Sequence, residues 1–404
     1  MEGKQPHIAI LHPTDPLGHA ASGIDNFIRG VLTFAPRDLD FTLIGATTDI
    51  AARPVGIERA ISVGDRIVRF LPIVYLDPSG IRGRVPLIAR YTYALEYAVR
   101  RGNLVPYDIL DFHRVEPTIL LRRDPRPKNL YMHQDFSGVT AKGSEILWHY
   151  LPPIYAAMER LLLPTFNRVF TVRRASVDAY TKRFPELASR IEFLPTWVDT
   201  KFWFPCTNMA ERKALRAQIA ADTGVKPTGD WLIYVGRLDH AKDPLLLLAA
   251  LDELRYRRPA AHLFIIGDGL LKSAMNEARA SFNLTESVSF LGSQPKANIR
   301  RFLQAADAFV LSSAYEGMPF SVLEALATGT PVASTDVGEV RLMVKDGYNG
   351  RISADRSPSR LAAAIEDVLC NADSMRGGSC VQSAELFLPQ NTLNRLYQNH
   401  REQV

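Results

Sequence analysis

Two carboxylates, Glu316 and Glu324, stand eight residues apart in a polar stretch of the chain. The apolar segment 308–311 before them is predicted to be a buried strand, and a second short strand is predicted at 332–335. The polar stretch therefore follows the carboxyl end of a parallel strand, which is where ligands bind in open α/β sheets. An ionised carboxylate at that edge can accept hydrogen bonds from two vicinal hydroxyls.

A helix of about two turns is predicted between these strands, beginning near Ser321 and ending at Gly329, since Pro331 bars its continuation. Ser321 and Glu324 have the spacing of a capping box, in which Glu324 would only close the start of the helix. A ligand-binding role for Glu324 stays open beside that structural one. A helix N-terminus also favours an anion, so the two roles do not exclude each other.

Two cations lie in or just after the stretch 231–238, which opens with another predicted strand. Arg237 and Lys242 precede a helix predicted at 245–254. Cations near a helix N-terminus are unfavourable unless an anion is present. A guanidinium fork and a compact ammonium suit the oxygens of a diphosphate, although both could be ordinary surface cations.

The composition bounds the class of protein. A chain of 404 residues with 47% hydrophobic and 23% charged residues predicts a globular protein with two domains. The net charge of +5 is mild and no basic stripe is present, which excludes a typical nucleic-acid-binding protein. Three cysteines without metal-type spacing, Cys206, Cys370 and Cys380, suit a reducing cytosol. No signal peptide and no apolar run of roughly 18 residues is seen, so we expect a cytoplasmic protein with at most peripheral membrane contact.

Histidines end two predicted strands in the first half of the chain. His133 follows the strand near 129–132, and His113 follows the strand near 108–112. A lone histidine at such a place is often structural, but the carboxyl end of a strand favours function. The loop after the first strand, 7–12, carries Gly18 and Gly23 before a helix, so it is a candidate anion cradle or an ordinary loop.

Two further stretches of the first half suggest other chemistry. Asp38 and Asp40 have the spacing of a D-x-D metal motif, but they precede a strand instead of following one, so we reject a metal site there. Residues 81–101 predict a helix with one acid, interleaved tyrosines and five arginines, namely Arg82, Arg84, Arg90, Arg100 and Arg101. This helix could contact an anionic membrane, or it could be a solvated helix with its tyrosines inside.

The segment 315–331 closely resembles the E-x(7)-E signature of retaining nucleotide-sugar glycosyltransferases, glycosyltransferase family 4. The segment 236–244, G-R-L-x-x-x-K-D-P, resembles a second signature of that family. The resemblance implies an α/β protein of the GT-B fold, with two Rossmann-like doubly wound domains facing across a cleft. It implies an acceptor-binding domain at 1–203, a nucleotide-sugar-binding domain at 204–383, and a helix at about 384–404 that crosses back to the first domain.

The resemblance also implies roles for individual residues. Glu316 would meet the hydroxyls of the donor sugar, Glu324 those of the ribose, and Arg237 and Lys242 the diphosphate. His133 would approach the donor sugar, with His113 as the second choice. Further donor contacts are expected at Gly23, Leu291, Gly292, Gly317, Met318, Pro319, Phe320 and Ser321, and at Gly18. Thr196 and Trp197 replace the family's usual Asn-Gly, which puts contacts at those positions in doubt.

The function implied is retaining transfer of a sugar from a UDP- or GDP-sugar to a saccharide acceptor, one that is lipid-linked or a cell-surface polysaccharide precursor. No metal and no other cofactor is expected. The protein is expected in the cytoplasm, with peripheral contact to the inner face of an anionic membrane. The alternatives are another enzyme of the same fold, either a sugar phosphorylase or a nucleotide-sugar epimerase, and a nucleotide-sugar-binding protein without turnover.

Overall fold

A computed structural model describes residues 5–18, 22–77, 85–102, 106–140 and 147–404. The chain forms two compact units. The first consists of Met1–Pro195 together with Pro389–Val404, and the second of Thr196–Leu388.

The first unit is built on an eight-stranded sheet in the order β3-β4-β2-β1-β5-β6-β7-β8. All neighbouring strands are parallel except the β3–β4 pair at one edge. Both faces of a parallel sheet are covered, so its strands are continuous apolar runs, and β1 is buried along its whole length. The strands are β1 His7–Leu11, β2 Asp40–Thr47, β3 Arg59–Val63, β4 Arg66–Tyr75, β5 Ile109–Phe112, β6 Lys128–Met132, β7 Arg168–Thr171 and β8 Ile191–Phe193.

Helices connect these strands and bury one face against the sheet. In α2, Tyr91 and Leu95 are fully buried, while Tyr93 and Tyr97 point to solvent. The helices are α1 Gly23–Thr33, α2 Leu87–Arg100, α3 Phe136–Thr140, α4 Pro152–Leu162 and α5 Arg174–Arg183, with 3₁₀ turns at Glu116–Leu121, Leu147–Tyr150, Leu163–Thr165 and Pro185–Arg190. None of the helices in the described ranges is long and apolar enough to cross a membrane.

The second unit carries a six-stranded, fully parallel sheet in the order β11-β10-β9-β12-β13-β14. Its strands are β9 Trp231–Val235, β10 His262–Ile266, β11 Val288–Gly292, β12 Ala308–Leu311, β13 Val332–Ser334 and β14 Gly350–Ile352. Its helices are α6 Met209–Thr223, α7 Pro244–Arg255, α8 Lys272–Ser281, α9 Lys296–Ala305, α10 Phe320–Ala327, α11 Val340–Met343, α12 Pro358–Cys370, α13 Ala372–Met375 and α14 Gly378–Glu385. The apolar core between sheet and helices includes Leu232, Leu247 and Ile365.

The C-terminal segment returns to the first unit in two short helices, α15 Pro389–Thr392 and α16 Asn394–Glu402. His400 of α16 contacts Asp111 of β5 at 2.7 Å (Nε2 to Oδ2), and both side chains are almost fully buried. The Tyr397 hydroxyl donates to the carbonyl of Val31 at 2.8 Å. The prediction of a single helix at about 384–404 is wrong, because Pro389 cannot continue α14 and the chain starts a new helix there.

The two units divide eight residues before the boundary predicted after residue 203, at 195/196, and the C-terminal segment leaves the second unit at 388/389. The boundary lies earlier than predicted because residues 196–204 pack on the second unit. Thr196 donates its N–H to the sulfur of Met318 at 3.3 Å, and the Trp197 ring meets Phe320 edge to face. Gln304 donates to the carbonyl of Phe204 at 2.7 Å. The segment 384–388 also belongs to the second unit, not to the returning helix.

Candidate functional site

The sheet of the second unit brings the predicted donor-binding residues to one edge. Because all its strands are parallel, the loops after β9, β11 and β12 leave from the same edge. Arg237 follows β9, Gly292 ends β11 and Glu316 follows β12. The Rossmann-like arrangement therefore places residues far apart in sequence beside one another.

Lys242 and Glu316 form a tight ion pair at this edge. The ammonium Nζ lies 2.6 and 2.7 Å from the two carboxylate oxygens of Glu316. Ser313 adds a hydrogen bond from its hydroxyl to Oε1 at 2.7 Å. The Glu316 side chain is 7% exposed and the Lys242 side chain 22% exposed. Each charge therefore satisfies the other.

Arg237 is held by a residue that the sequence analysis missed. Its Nη1 atom lies 2.9 Å from Oδ2 of Asp239, which is almost fully buried, while 54% of the arginine side chain is exposed. The other Asp239 oxygen accepts the backbone N–H of Lys242 at 3.0 Å. Asp239 thus lies beside the guanidinium of Arg237 and fixes the backbone at Lys242. Its place just after a buried strand, between Arg237 and Lys242, was the available signal.

The start of α10 differs from the predicted capping box. The helix begins at Phe320 with Pro319 in the N-cap position, and no side chain in the described ranges caps it. Ser321 lies inside the first turn, so the capping-box reading of Ser321 and Glu324 is wrong. Proline supplies the extended conformation of an N-cap residue, and the amides of the first turn are left for an anion.

Glu324 lies in α10, and its side chain is only partly exposed to solvent. Burial raises the pKa of this carboxyl to about 7, and the charge of Lys296 opposes the rise only in part. Near neutral pH the group is thus divided between its protonated and ionised forms. A hydroxyl donor on a ligand would favour the ionised form.

Two loops of the site are joined by their backbones. The N–H groups of Ala314 and Tyr315 both donate to the carbonyl of Ala241, at 2.8 and 3.1 Å. A third loop contacts them through Gly338, whose φ is +54° and whose missing Cβ would lie 2.2 Å from the carbonyl oxygen of Gly317. Only glycine allows this approach, so the loop at 312–319 is held from two sides.

Leu291 and Gly292, which the family resemblance predicts to contact the nucleotide base of the donor, end β11. The carbonyl of Leu291 accepts the amide of Gln294 at 2.6 Å, and the carbonyl of Gly292 accepts the N–H of Gly267 at 2.9 Å. Gly292 has a φ of +65° and has no atom within 4 Å of where a Cβ would be. Base recognition here would thus depend on groups other than these two carbonyls, or on their second lone pairs.

In the first unit the two candidate histidines lie together. His113 Nδ1 and His133 Nε2 are 3.0 Å apart and the two rings stack at 5.3 Å. Burial lowers the pKa of His133 to about 3 and that of His113 well below its usual value. The rings are therefore neutral and linked by one hydrogen bond. The sequence offered them as alternatives, whereas the structure makes them partners.

The predicted anion cradle before α1 already holds a carboxylate. Ser22 caps the helix, and Asp25 forms a reciprocal capping box with it. Gly23 is the first residue of α1 and has open space at its Cβ position, and the carbonyl of Gly18 accepts a hydrogen bond from Arg29. The acidic side chain satisfies the helix dipole, which disfavours a phosphate at this N-terminus.

The sequence also singled out an acidic pair and an arginine-rich stretch in the first unit. Asp38 and Asp40 precede or begin β2 and pair with Arg401 and Arg69. Arg82 and Arg84 lie outside the described residues. In the described ranges, no group of three or more His, Cys, Asp or Glu side chains is placed to hold a metal ion.

Several solved structures share this architecture. Sucrose-phosphate synthase from Thermosynechococcus elongatus superposes with a TM-score of 0.78 at 18% identity, over 99% of each chain. HepE from Anabaena, in complex with UDP-glucose, superposes with a TM-score of 0.72 at 15% identity, over 98% of this chain and 100% of the other. These likenesses define the fold as GT-B.

The sequence is similar to a D-inositol 3-phosphate glycosyltransferase of Segniliparus rotundus, 25% identical over 249 residues. That match covers 60% of this chain and 54% of the relative, so the chain matches about half the length of this curated relative. Residues 216–377 match the family model described as Glycosyl transferases group 1. The match lies within the second unit and covers most of it.

Proposed function

We propose that this protein transfers a sugar from a nucleoside diphosphate sugar to a hydroxyl of a saccharide acceptor, with retention at the anomeric carbon. The observation that carries the proposal is the group formed by Arg237, Lys242 and Glu316 at the carboxyl edge of the second sheet. It pairs cations for a diphosphate with an acid for the sugar hydroxyls beside it. The family match over 216–377 supports the same class of reaction.

The cations would act on the leaving group. As the glycosidic bond breaks, negative charge gathers on the departing diphosphate, and groups already in place stabilise it without reorganisation. Lys242 would exchange the carboxylate of Glu316 for phosphate oxygens, and the exposed guanidinium of Arg237 needs little movement. The uncapped amides at the start of α10 would add further donors.

The carboxylates would bind the two sugars of the donor. Once Lys242 turns to the phosphate, Glu316 is free to accept hydroxyls of the transferred sugar, with Ser313 still holding one oxygen. Glu324 would accept the ribose hydroxyls. We propose a UDP- or GDP-sugar as donor and an acceptor that is lipid-linked or a cell-surface polysaccharide precursor, with no metal or other cofactor, because the cations already balance the diphosphate.

The neutral histidine pair of the first unit would serve the sugar being transferred. A neutral imidazole both donates and accepts, as a hydroxyl does, so His133 suits a sugar better than a charged ring would. His113 holds that ring at 3.0 Å. This assigns His133 to binding and orientation.

The test compares three variants. Arg237→Ala and Lys242→Ala should each lower transfer from UDP-glucose or GDP-mannose by about 10²–10³-fold, as expected for a lost donor to a developing charge. Arg257→Ala is the matched control, since Arg257 is an exposed arginine just after α7 that pairs with Glu366 of α12 at 2.7 Å, and it should keep full activity. Transfer at near-normal rates by both site variants would refute the proposal. Phosphate-dependent cleavage of a saccharide would instead favour a phosphorylase, and donor binding without turnover a binding protein.

We also propose peripheral contact with an anionic membrane at the cytoplasmic face. The support is the outer face of α2, where Tyr93 is 78% and Tyr97 55% exposed and Arg101 lies 4.4 Å over the Tyr97 ring. Interfacial aromatic rings and cations suit lipid headgroups, at about 1 kcal/mol for each cation near the surface. Tyr93→Ser/Tyr97→Ser should lose co-flotation with phosphatidylglycerol vesicles. Unchanged flotation, or equal binding to neutral phosphatidylcholine vesicles, would contradict this contact.

A further inference from the structure

A chain of hydrogen bonds in the first unit ends on His12, a residue to which nothing above assigns a role. The Asp25 carboxylate accepts the hydroxyl of Ser22 at 2.7 Å and that of Thr14 at 2.6 Å. The Thr14 oxygen in turn lies 2.5 Å from Nδ1 of His12. His12 is 7% exposed, so the chain runs from the start of α1 into a buried ring.

The direction of these bonds decides the tautomer of His12. A hydroxyl carries one proton, and Thr14 gives its proton to Asp25. Only the lone pairs of Thr14 remain for His12, so Nδ1 of His12 carries a hydrogen and donates it. Burial lowers the pKa of His12 well below its usual value, helped by the charge of Arg114, so the ring is neutral. Its Nε2 atom therefore holds a lone pair.

The position of His12 matches that of the histidines already described. It follows β1 as His113 follows β5, and these strands are neighbours in register, with Leu11 opposite Phe112. The His12 and His113 rings meet edge to face at 6.0 Å. His12, His113 and His133 thus end three neighbouring strands at the edge where ligands bind.

We propose that His12 binds substrate, accepting through Nε2 a hydrogen bond from a hydroxyl of a sugar or polyol, and that Thr14 and Asp25 are positioning residues that keep this nitrogen unprotonated. The acceptor is the expected source of the hydroxyl, because this unit is the one assigned to it, and the donor sugar is the other source. The inference rests on the proposed function for the source of the hydroxyl, but the tautomer of the ring can be tested without it.

The chain contains a matched control. His7 starts the strand that His12 follows, is 8% exposed, and contacts the hydroxyl of Thr42 through Nε2 at 2.9 Å. The pair His7 and Thr42 therefore reproduces the burial and the hydroxyl contact of His12 and Thr14 at the opposite edge of the sheet. Variants of this pair measure what a lost buried histidine costs in folding alone.

The first experiment is nuclear magnetic resonance of the full chain labelled with ¹⁵N-histidine. The ring of His12 should be protonated at Nδ1 and not at Nε2 at neutral pH, and Thr14→Val should convert it to a mixture of tautomers. A protonated Nε2 in the unmodified protein overturns the proposal. Glucose and myo-inositol as acceptor probes, and UDP-glucose and GDP-mannose as donor probes, are then added separately. A shift of the His12 Nε2 signal with the acceptor probes or with the donor probes supports the proposal and identifies the source of the hydroxyl. No shift with any probe overturns the proposal.

The second experiment is kinetic. His12→Leu should raise the KM for the probe acceptor about ten-fold, and Thr14→Val several-fold, with donor Kd unchanged, while His7→Leu and Thr42→Val leave both constants as they were. A change in donor Kd and donor hydrolysis without a change in acceptor KM assigns His12 to the donor sugar. Unchanged constants in His12→Leu and Thr14→Val overturn the proposal. A wild-type protein that binds no nucleotide sugar overturns the proposed function instead, and the resonance experiment with glucose and myo-inositol then decides the role of His12 alone.

Discussion

The most unusual acid of the site is Glu324, whose pKa lies at about 7 through burial instead of at 4.5. The folded state binds its proton more tightly than the unfolded chain does, so this group makes the free energy of unfolding fall as the pH rises from about 4.5 to 7. Glu324→Gln removes that loss. We expect the variant to be more stable than the wild type at pH 8, by about 1–3 kcal/mol, with the difference shrinking towards pH 5.

Urea unfolding of both proteins at pH 5 and pH 8 measures this difference. Glu277→Gln is the control, since Glu277 is an exposed glutamate on α8 of the same unit and should show no pH-dependent gain. The same variant should bind the donor more weakly, because an amide replaces one of the oxygens offered to the ribose. A stability gain equal at both pH values would show that burial of the charge is not its cause.

The Lys242–Glu316 pair supports a second prediction at this scale. Lys242→Met leaves the carboxylate of Glu316 buried with only Ser313 beside it, which should cost about 3–5 kcal/mol. Lys242→Met/Glu316→Gln removes the stranded charge, so its loss of stability should be smaller than the sum of the two single losses. A double-mutant cycle by chemical denaturation gives the coupling energy, and strictly additive losses would contradict a direct pair.

Sequence alone reached the members of this site but not their partners. Arg237, Lys242 and Glu316 were chosen from residue type and spacing, and the fold brings Lys242 and Glu316 into contact. Asp239 and His12 were not identified from the sequence, because the role of a lone acid or histidine after a strand depends on the groups that surround it in three dimensions. The tautomer of His12 depends on Thr14 and Asp25, and no spacing rule expresses that.

At the scale of elements, the loop at 312–319 depends on Gly338. Gly338→Ala should weaken donor binding about ten-fold or more, because the new Cβ would lie 2.2 Å from the Gly317 oxygen and displace the loop. Gly347→Ala is a matched control: its φ of +75° is equally unfavourable for alanine, but its Cβ would have no atom within 4 Å. Calorimetric titration with UDP tests this prediction. Equal losses in the two variants would mean that backbone strain alone, and not the contact with the loop, is responsible.

The elements themselves were largely predictable where they are apolar and bounded by glycine or proline. The strands β1, β12 and β13 agree with their predicted ranges within one residue. The antiparallel pair β3 and β4 was not predicted: β3 is largely exposed, and Pro72 interrupts the apolar run of β4. The capping box and the single C-terminal helix failed because Pro319 is the N-cap residue of α10 and Pro389 is the first residue of α15.

At the scale of the whole molecule, the two units should respond differently to a nucleotide. Hydrogen–deuterium exchange of the full chain with and without UDP should show protection at 237–243 and 312–321, and none in the segments of the first unit, if the diphosphate binds where we propose. The reason is that ligand contacts raise the free energy of local opening only where they are made. Protection centred on 12–25 instead would place the nucleotide on the first unit and contradict the assignment.

The fold itself followed from the resemblance of two short signatures, and its division into units did not. The boundary after residue 203 ignored the packing of Thr196 and Trp197 on the second unit, which involves Met318 and Phe320, more than a hundred residues later. Such contacts leave no local pattern. The return of the C-terminal segment to the first unit was expected from family resemblance only.

The return of residues 389–404 to the first unit fixes the order in which the two units can be completed during translation. His400 buries itself against Asp111, and a ribosome makes residues 389–404 only after all of residues 196–388. The first unit therefore stays incomplete until residues 389–404 are made, while the second unit has all of its residues before then. A nascent chain that ends near residue 388 would contain every residue of the second unit but only part of the first, which would still expose Phe41 and Asp111 and need protection from aggregation at that stage.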